Sequence, residues 1–167
     1  LKAQGKDGDD PSVSPLEHAL QTADLAQRES QQPHLVVASL LHDIGHLMLD
    51  QHGESMDQDW GHETVAAEAL SAFFPASVTA PIQHHVAAKR LLCSLDPAYY
   101  EQLSDVSKRS IAAQGGLLSQ SEADRLRAQQ GMDDAVAVRR WDDRAWVQAI
   151  TAPDLHTYRD IILNQLL

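Results

Sequence analysis

Apolar positions along this chain recur every three to four residues and nowhere alternate over the length of a strand, a pattern that predicts helices throughout. Over 16–28, Leu16, Ala19, Leu20, Ala23 and Ala26 fall on one stripe, the spacing of an amphipathic helix. The run 34–49 is apolar nearly all round and predicts the most buried helix, with Pro33 at its start. Between 50 and 61 the chain turns polar and carries Gly53 and Gly61, a surface loop. Helices are expected over 62–74, closed by Pro75, and over 78–92, with Pro81 in the first turn. Asp96-Pro97 caps and opens a helix through Leu103, and Ser104 caps another that ends near Gly115-Gly116. Ser119 with Glu122 forms a capping box for the segment to Gln130. Pro153-Asp154 opens the last helix, with Leu155, Tyr158, Ile161, Ile162 and Leu166 as its buried stripe. Residues 1–15 read as a flexible arm, and 16–167 as one all-α domain without internal repeats.

Composition narrows the function. A chain of 167 residues, 43% of them apolar, can bury a real core. No stretch approaches the roughly 18 uninterrupted apolar residues of a membrane span, and no signal-peptide pattern is visible. The chain opens on Leu1, so residues are expected to precede it. The single cysteine, Cys93, cannot close an internal disulfide, which fits a reducing cytoplasm. Thirteen Lys and Arg against 24 Asp and Glu give a formal charge of −11. Such a surface repels nucleic acid and anionic membranes and points to a small-molecule partner. An anionic substrate would then need positive charge at the site itself, which metal ions supply.

Nine histidines are the unusual count, and their placement matters more than their number. Residues 40–46 read LLHDIGH, setting His42 and Asp43 inside an apolar helix, where an ionised carboxylate is costly unless paired or metal-bound. His46, four residues on, is expected on the same face one turn along. His18 lies on the apolar edge of its helix, His62 opens another, and His84-His85 and Asp142 follow. Imidazoles and carboxylates from separate helices, converging on a core aspartate, make a bundle-core metal site.

The series His18, His42-Asp43, His62, His84 or His85, Asp142 resembles the HD superfamily of metal-dependent phosphohydrolases and oxygenases. The segments LEHALQTADLAQ, LLHDIGH, HHVAAKRLL, LSDVSKRSIAAQGG and RRWDD resemble more narrowly its mixed-valent diiron oxygenases that cleave organophosphonates. That resemblance runs from about Leu16 to Asp143. It implies a helical bundle with two irons, mixed-valent Fe(II)/Fe(III), and O2 as cosubstrate. It implies His18, His42, Asp43 and Asp142 on one iron and Asp43, His62 and His85 on the other, with His84 as an extra. His46 and Lys89 match phosphonate-binding positions, and Ser107, Gln114 and Arg139 match positions that complete the oxyanion pocket; Asp43, His46 and Lys89 would carry the chemistry. The implied reaction converts a 1-hydroxyphosphonate and O2 to a carboxylic acid and phosphate.

One departure bears on the substrate. Family members that act on 2-amino-1-hydroxyethylphosphonate carry a tyrosine and a glutamate upstream of the first ligand, where this chain has Gly8 and Pro11, with Asp7, Asp9 and Asp10 nearby. A primary ammonium rewards a fixed acceptor, whereas a trimethylammonium needs room and diffuse negative charge. The expected substrate is therefore 1-hydroxy-2-(trimethylammonio)ethylphosphonate, giving glycine betaine, with the primary amine, giving glycine, as the alternative. Two readings from other classes use the same ligands: a phosphohydrolase whose metals activate water, and an inactive HD domain acting as a sensor. The HVAAKR segment and the acidic chain argue against the first, and the complete ligand series against the second.

Overall fold

The computed structural model describes residues 13–50, 61–148 and 150–167. They form α-helices and one short 3-10 turn, without a strand among the described residues. The expected 50–61 loop and the arm residues Asp7, Gly8, Asp9, Asp10 and Pro11 lie, apart from the ends of that loop, outside them.

Helix α1 (Pro15–Glu29) begins at Ser14, whose hydroxyl accepts from the Glu17 amide while Glu17 reaches back, a capping box the apolar spacing did not reveal. Its core face carries Leu20, Ala23 and Ala26, but Leu16 stands out at 55% exposure.

The expected 34–49 helix is two helices, α2 (Pro33–Leu41) and α3 (Ile44–Asp50), broken at His42-Asp43. Helix α2 is buried from Leu35 to Leu40, and packs Val36, Val37 and Leu40 into the core formed by Ala23, Val78, Ile82, Val138, Trp141 and Tyr158. Each of its larger apolar side chains contributes about 1.5–3 kcal/mol by leaving water. Beyond the break the chain turns toward the surface, and Leu47 is exposed. His46 therefore does not stack above His42 on one helix.

Helix α4 (His62–Leu70) stops short of the expected Phe74, and the intervening turn leads to Pro75, which begins α5 (Ala76–Leu95). Pro81 thus sits in the second turn of α5 rather than its first. Helix α6 (Pro97–Gln102) is capped by Asp96, α7 (Asp105–Ala113) by Ser104, and α8 (Gln120–Arg127) by the Ser119–Glu122 box, as their sequences predict.

Helix α9 (Met132–Asp142) has no counterpart among the predicted elements. It starts at Gly131, left-handed at φ 83°, where a Cβ would also stand 3.0 Å from that of Ala80. No serine or aspartate cap announces it, and its buried stripe includes the polar Arg139 and Asp142. At the C-terminus, Asp154 caps a 3-10 turn (Leu155–Tyr158) that runs into α10 (Arg159–Leu163). Tyr158 is fully buried, whereas Leu155 and Leu166 remain 46% and 45% exposed. No helix among the described residues is long and apolar enough to cross a membrane.

Candidate metal centre

Five helices and one turn deliver the polar core. His18 comes from α1, His42 caps the C-terminus of α2, Asp43 lies in the turn that follows, His62 opens α4, His85 sits mid-way along α5, and Asp142 closes α9. The turn after Leu41 carries Asp43, whose carboxylate lies between the imidazoles.

The two oxygens of Asp43 face different partners. Oδ2 lies 3.3 Å from His42 Nε2 and 3.7 Å from His18 Nε2, and Oδ1 lies 3.6 Å from His62 Nε2 and 3.5 Å from His85 Nε2. On the first side, His18 Nε2 is also 3.3 Å from His42 Nε2 and 3.1 Å from Asp142 Oδ1. On the second, His62 Nε2 and His85 Nε2 are 3.2 Å apart. Ligands about 2.0–2.2 Å from a first-row metal stand about 2.8–3.6 Å from one another. The observed edges match that spacing closely on both sides, so the residues fit two metal ions flanking one carboxylate.

Ring orientation favours the same fit. His42 and His85 point Nδ1 at the carbonyls of Ser39 and Ile82, at 2.8 and 2.7 Å, which turns Nε2 inward. Burial, followed by the imidazoles of His85 and His46, pushes His62 down to about 2, so it is neutral throughout the working pH range. Burial opposes a charge on His42, yet the carboxylates of Asp43 and Asp142 outweigh it and hold this histidine well above its ordinary value, so a metal ion at its Nε2 would take the place of a proton drawn there by the same two carboxylates. Burial likewise works against charge on Asp142, but the Arg139 guanidinium and the facing imidazoles keep it well below the usual carboxylate range. The pocket attracts cations.

The remaining predicted residues fall around this core. His46 is exposed, with its ring stacked on His62 at a centroid distance of 3.8 Å, and its nitrogen joins Asp43 and His62 in a group spaced for a metal ion. Lys89, one turn after His85 on the unbroken α5, is buried, and its Nζ donates to Ser107 Oγ at 3.2 Å. Gln114 ends α7 with Oε1 buried and without a hydrogen-bond partner among the described residues. Arg139 pairs with Asp142 Oδ2 at 2.7 Å and also with Asp143, so it reaches the core through Asp142. His84 is half-buried beside His85, and burial lowers its basicity.

Sequence reasoning missed the supports. Glu63 Oε2 lies 3.5 Å from His62 Nδ1, Trp146 stacks on His18, and the Tyr99 hydroxyl donates to Asp143 Oδ2 at 2.6 Å. Glu63 adjoins its ligand in sequence and was open to inspection; Tyr99 reaches across 44 residues and was not.

The family model described as HD domain matches residues 16–128. Among curated proteins, the hydroxymethylphosphonate dioxygenase of Gimesia maris is 44% identical over 161 residues, covering 95% of this chain and 80% of that protein. The [1-hydroxy-2-(trimethylamino)ethyl]phosphonate dioxygenase (glycine-betaine-forming) of Leisingera caerulea is 37% identical over 144 residues, covering 85% of this chain and 74% of that protein.

Proposed function

This chain belongs to the HD-domain family, in its phosphonate-dioxygenase branch, and we propose from that premise that it cleaves the carbon–phosphorus bond of a small 1-hydroxyphosphonate with O2. The observation that carries the reading is the division of Asp43, one oxygen toward His18 and His42, the other toward His62 and His85. We assign His18, His42, Asp43 and Asp142 to one iron and Asp43, His62 and His85 to the second. Bound there as a mixed-valent pair, the irons supply the electrons that activate dioxygen. The net change turns C1 and its hydroxyl into a carboxylate while phosphorus leaves as phosphate, and the two oxygen atoms of O2 balance the products.

This chain's own residues bind and orient. The buried ammonium of Lys89, steadied by Ser107, offers a point charge to a phosphonate oxygen. His46, on the exposed side of His62, meets the same anion from the solvent face, and Gln114 contributes an amide. Arg139 holds Asp142 so that Oδ1 faces His18, with its part in the anion pocket electrostatic.

Hydroxymethylphosphonate is our first substrate, because the Gimesia maris enzyme named for it matches 95% of this chain. Its acid product is formate. The quaternary 1-hydroxy-2-(trimethylammonio)ethylphosphonate is the second reading, favoured by Asp7, Asp9 and Asp10 and by the Leisingera caerulea relative. Anaerobic iron loading followed by phosphate assays with and without O2 tests the class. Phosphate should appear only with O2, in equal amount to the acid. Release without O2 would mark a hydrolase and reject the oxygenase.

A further inference from the structure

Three of the four imidazoles of the centre have a polar partner on their outer side. His42 and His85 face backbone carbonyls through Nδ1 at 2.8 and 2.7 Å, and His62 Nδ1 lies 3.5 Å from Glu63. His18 differs. Its Nδ1 is buried and without a hydrogen-bond partner among the described residues. The indole of Trp146 lies against its ring instead, with centroids 4.1 Å apart and planes 18° from parallel.

We propose that Trp146, locked in place by Gln21, is the positioning residue that sets the His18 ring for the first metal. Gln21 follows His18 by three residues, on the same face of α1, and is itself buried. Its amide grips the backbone of Val147 at two points: Nε2 donates to the Val147 carbonyl at 3.0 Å, and Oε1 accepts from the Val147 amide at 3.1 Å. The other end of the same short segment is fixed as well, because the Ala145 amide donates to the carbonyl of Asp142 at 3.1 Å and Ala145 is fully buried. The backbone on both sides of Trp146 is thus held, by Asp142 of α9 and by the clamp on α1, which keeps the indole's point of attachment fixed beside His18.

The physical reason for such a device is rotation. A hydrogen bond at Nδ1 fixes the tautomer and the ring torsion of a ligand histidine; without one, the torsion must be fixed by packing. Stacked rings gain about 0.5–1.5 kcal/mol beyond their buried area, and turning the His18 ring out of its near-parallel contact with Trp146 would break that contact or drive the ring into the indole. Stacking also leaves Nδ1 without a protein acceptor among the described residues, so His18 is the ligand least enriched in electron density from its outer side. Loss of an outer partner typically weakens metal binding by about 10–100-fold.

The inference rests on the assignment of His18 as a ligand, and the experiment separates the two. Metal-free wild type, His18→Ala, Gln21→Ala, Trp146→Ala, Trp146→Leu and Trp146→Phe are titrated anaerobically with Fe(II) against a competing chelator, and their thermal midpoints are measured without metal. His18→Ala should bind one metal. Trp146→Ala, Trp146→Leu and Gln21→Ala should bind two, one of them roughly 10–100-fold more weakly, while Trp146→Phe stays near wild type because a flat ring is kept. Should Trp146→Ala fail to fold, the contrast of leucine with phenylalanine decides. Wild-type affinity in the leucine variant, or losses that merely follow the metal-free midpoints, overturns the proposal. Two metals in His18→Ala would remove the ligand assignment and this inference together; one metal there with unchanged Trp146 variants removes this inference alone.

Discussion

Gly45 abuts the backbone of His62: a Cβ on Gly45 would overlap the His62 carbonyl oxygen and stand 2.7 Å from its carbon. The start of α3 therefore rests against the start of α4, and the contact sets His62 opposite Asp43. Within an ordinary helix, glycine to alanine gains about 0.5–1 kcal/mol. Here the neighbour is backbone and cannot rotate aside, so the sign reverses. Gly45→Ala should lower stability by about 1–3 kcal/mol and displace His62, seen as a reduced denaturation midpoint together with loss of one metal. An unchanged midpoint and full metal content would mean that the two helices slide apart at no cost.

Asp43 spans both halves of the centre, so its removal should act on both. Asp43→Ala is expected to lose both metals and His62→Ala mainly one, measured by elemental analysis after anaerobic loading and desalting. Full metal content in Asp43→Ala would show that the carboxylate is not shared.

How much of this was legible beforehand follows from which residues act locally. Ser104, Ser119 and Asp96 announce helix starts because a cap satisfies its own neighbours' amides. The six residues assigned to the metals carry their signal in residue type, an imidazole or carboxylate in apolar surroundings. The break at His42-Asp43 was hidden, since LLHDIGH continues a helical pattern and the turn is held by tertiary contact at Gly45. Helix α9 was hidden for the opposite reason: Arg139 and Asp142 occupy its inner face for the sake of the site and interrupt the apolar stripe. Trp146 gave no local sign either, because its partner lies on α1.

Lys89→Ala should leave the metals in place and impair substrate use. Its side chain is buried at 8% exposure, and its ammonium donates to Ser107. Stripping one partner from a buried charged pair costs about 2–5 kcal/mol, a fall in kcat/KM of tens to thousands of fold. Wild-type kinetics in the variant would reassign Lys89 to packing.

Tyr158 predicts an alkaline limit to stability. It is fully buried, with its hydroxyl donating to the Leu20 carbonyl at 3.5 Å. Burial, then the charge of Asp24, pushes the phenol from 10.0 up to about 12. The folded value lies above the unfolded one, so the stabilisation is complete below the unfolded value and disappears as pH rises through the folded one. Wild type should lose stability more steeply than Tyr158→Phe between those limits, followed by denaturant titration at several pH values. Parallel curves would place the phenol in contact with water.

Substrate choice is the sharpest test of the proposed reaction. Hydroxymethylphosphonate, the quaternary trimethylammonio compound and the primary amine share the C1 hydroxyl and the phosphonate, and differ only in what C1 carries. Lys89, Ser107 and His46, which we assign to the shared phosphonate, therefore cannot discriminate. Discrimination falls to whatever meets the C1 substituent, and the sequence resemblance matches Gly8 and Pro11 to the tyrosine and glutamate expected of enzymes for the primary amine. A primary ammonium has three donors to satisfy, and each one left unpaired after water is excluded costs about 1–3 kcal/mol. A hydrogen atom or a quaternary group has none to satisfy. The penalty falls on one competitor alone, as it does wherever a site lacks the polar partner a substrate requires. With all three at equal concentration, hydroxymethylphosphonate should be consumed first, the quaternary compound next and the primary amine last, by roughly 5–150-fold per unsatisfied donor. Asp9→Asn and Asp10→Asn should then slow the quaternary compound modestly, because attraction near solvent is screened, and leave hydroxymethylphosphonate untouched. Preferential use of the primary amine, read by phosphorus NMR of the mixture, would refute both substrate readings while leaving the oxygenase class intact.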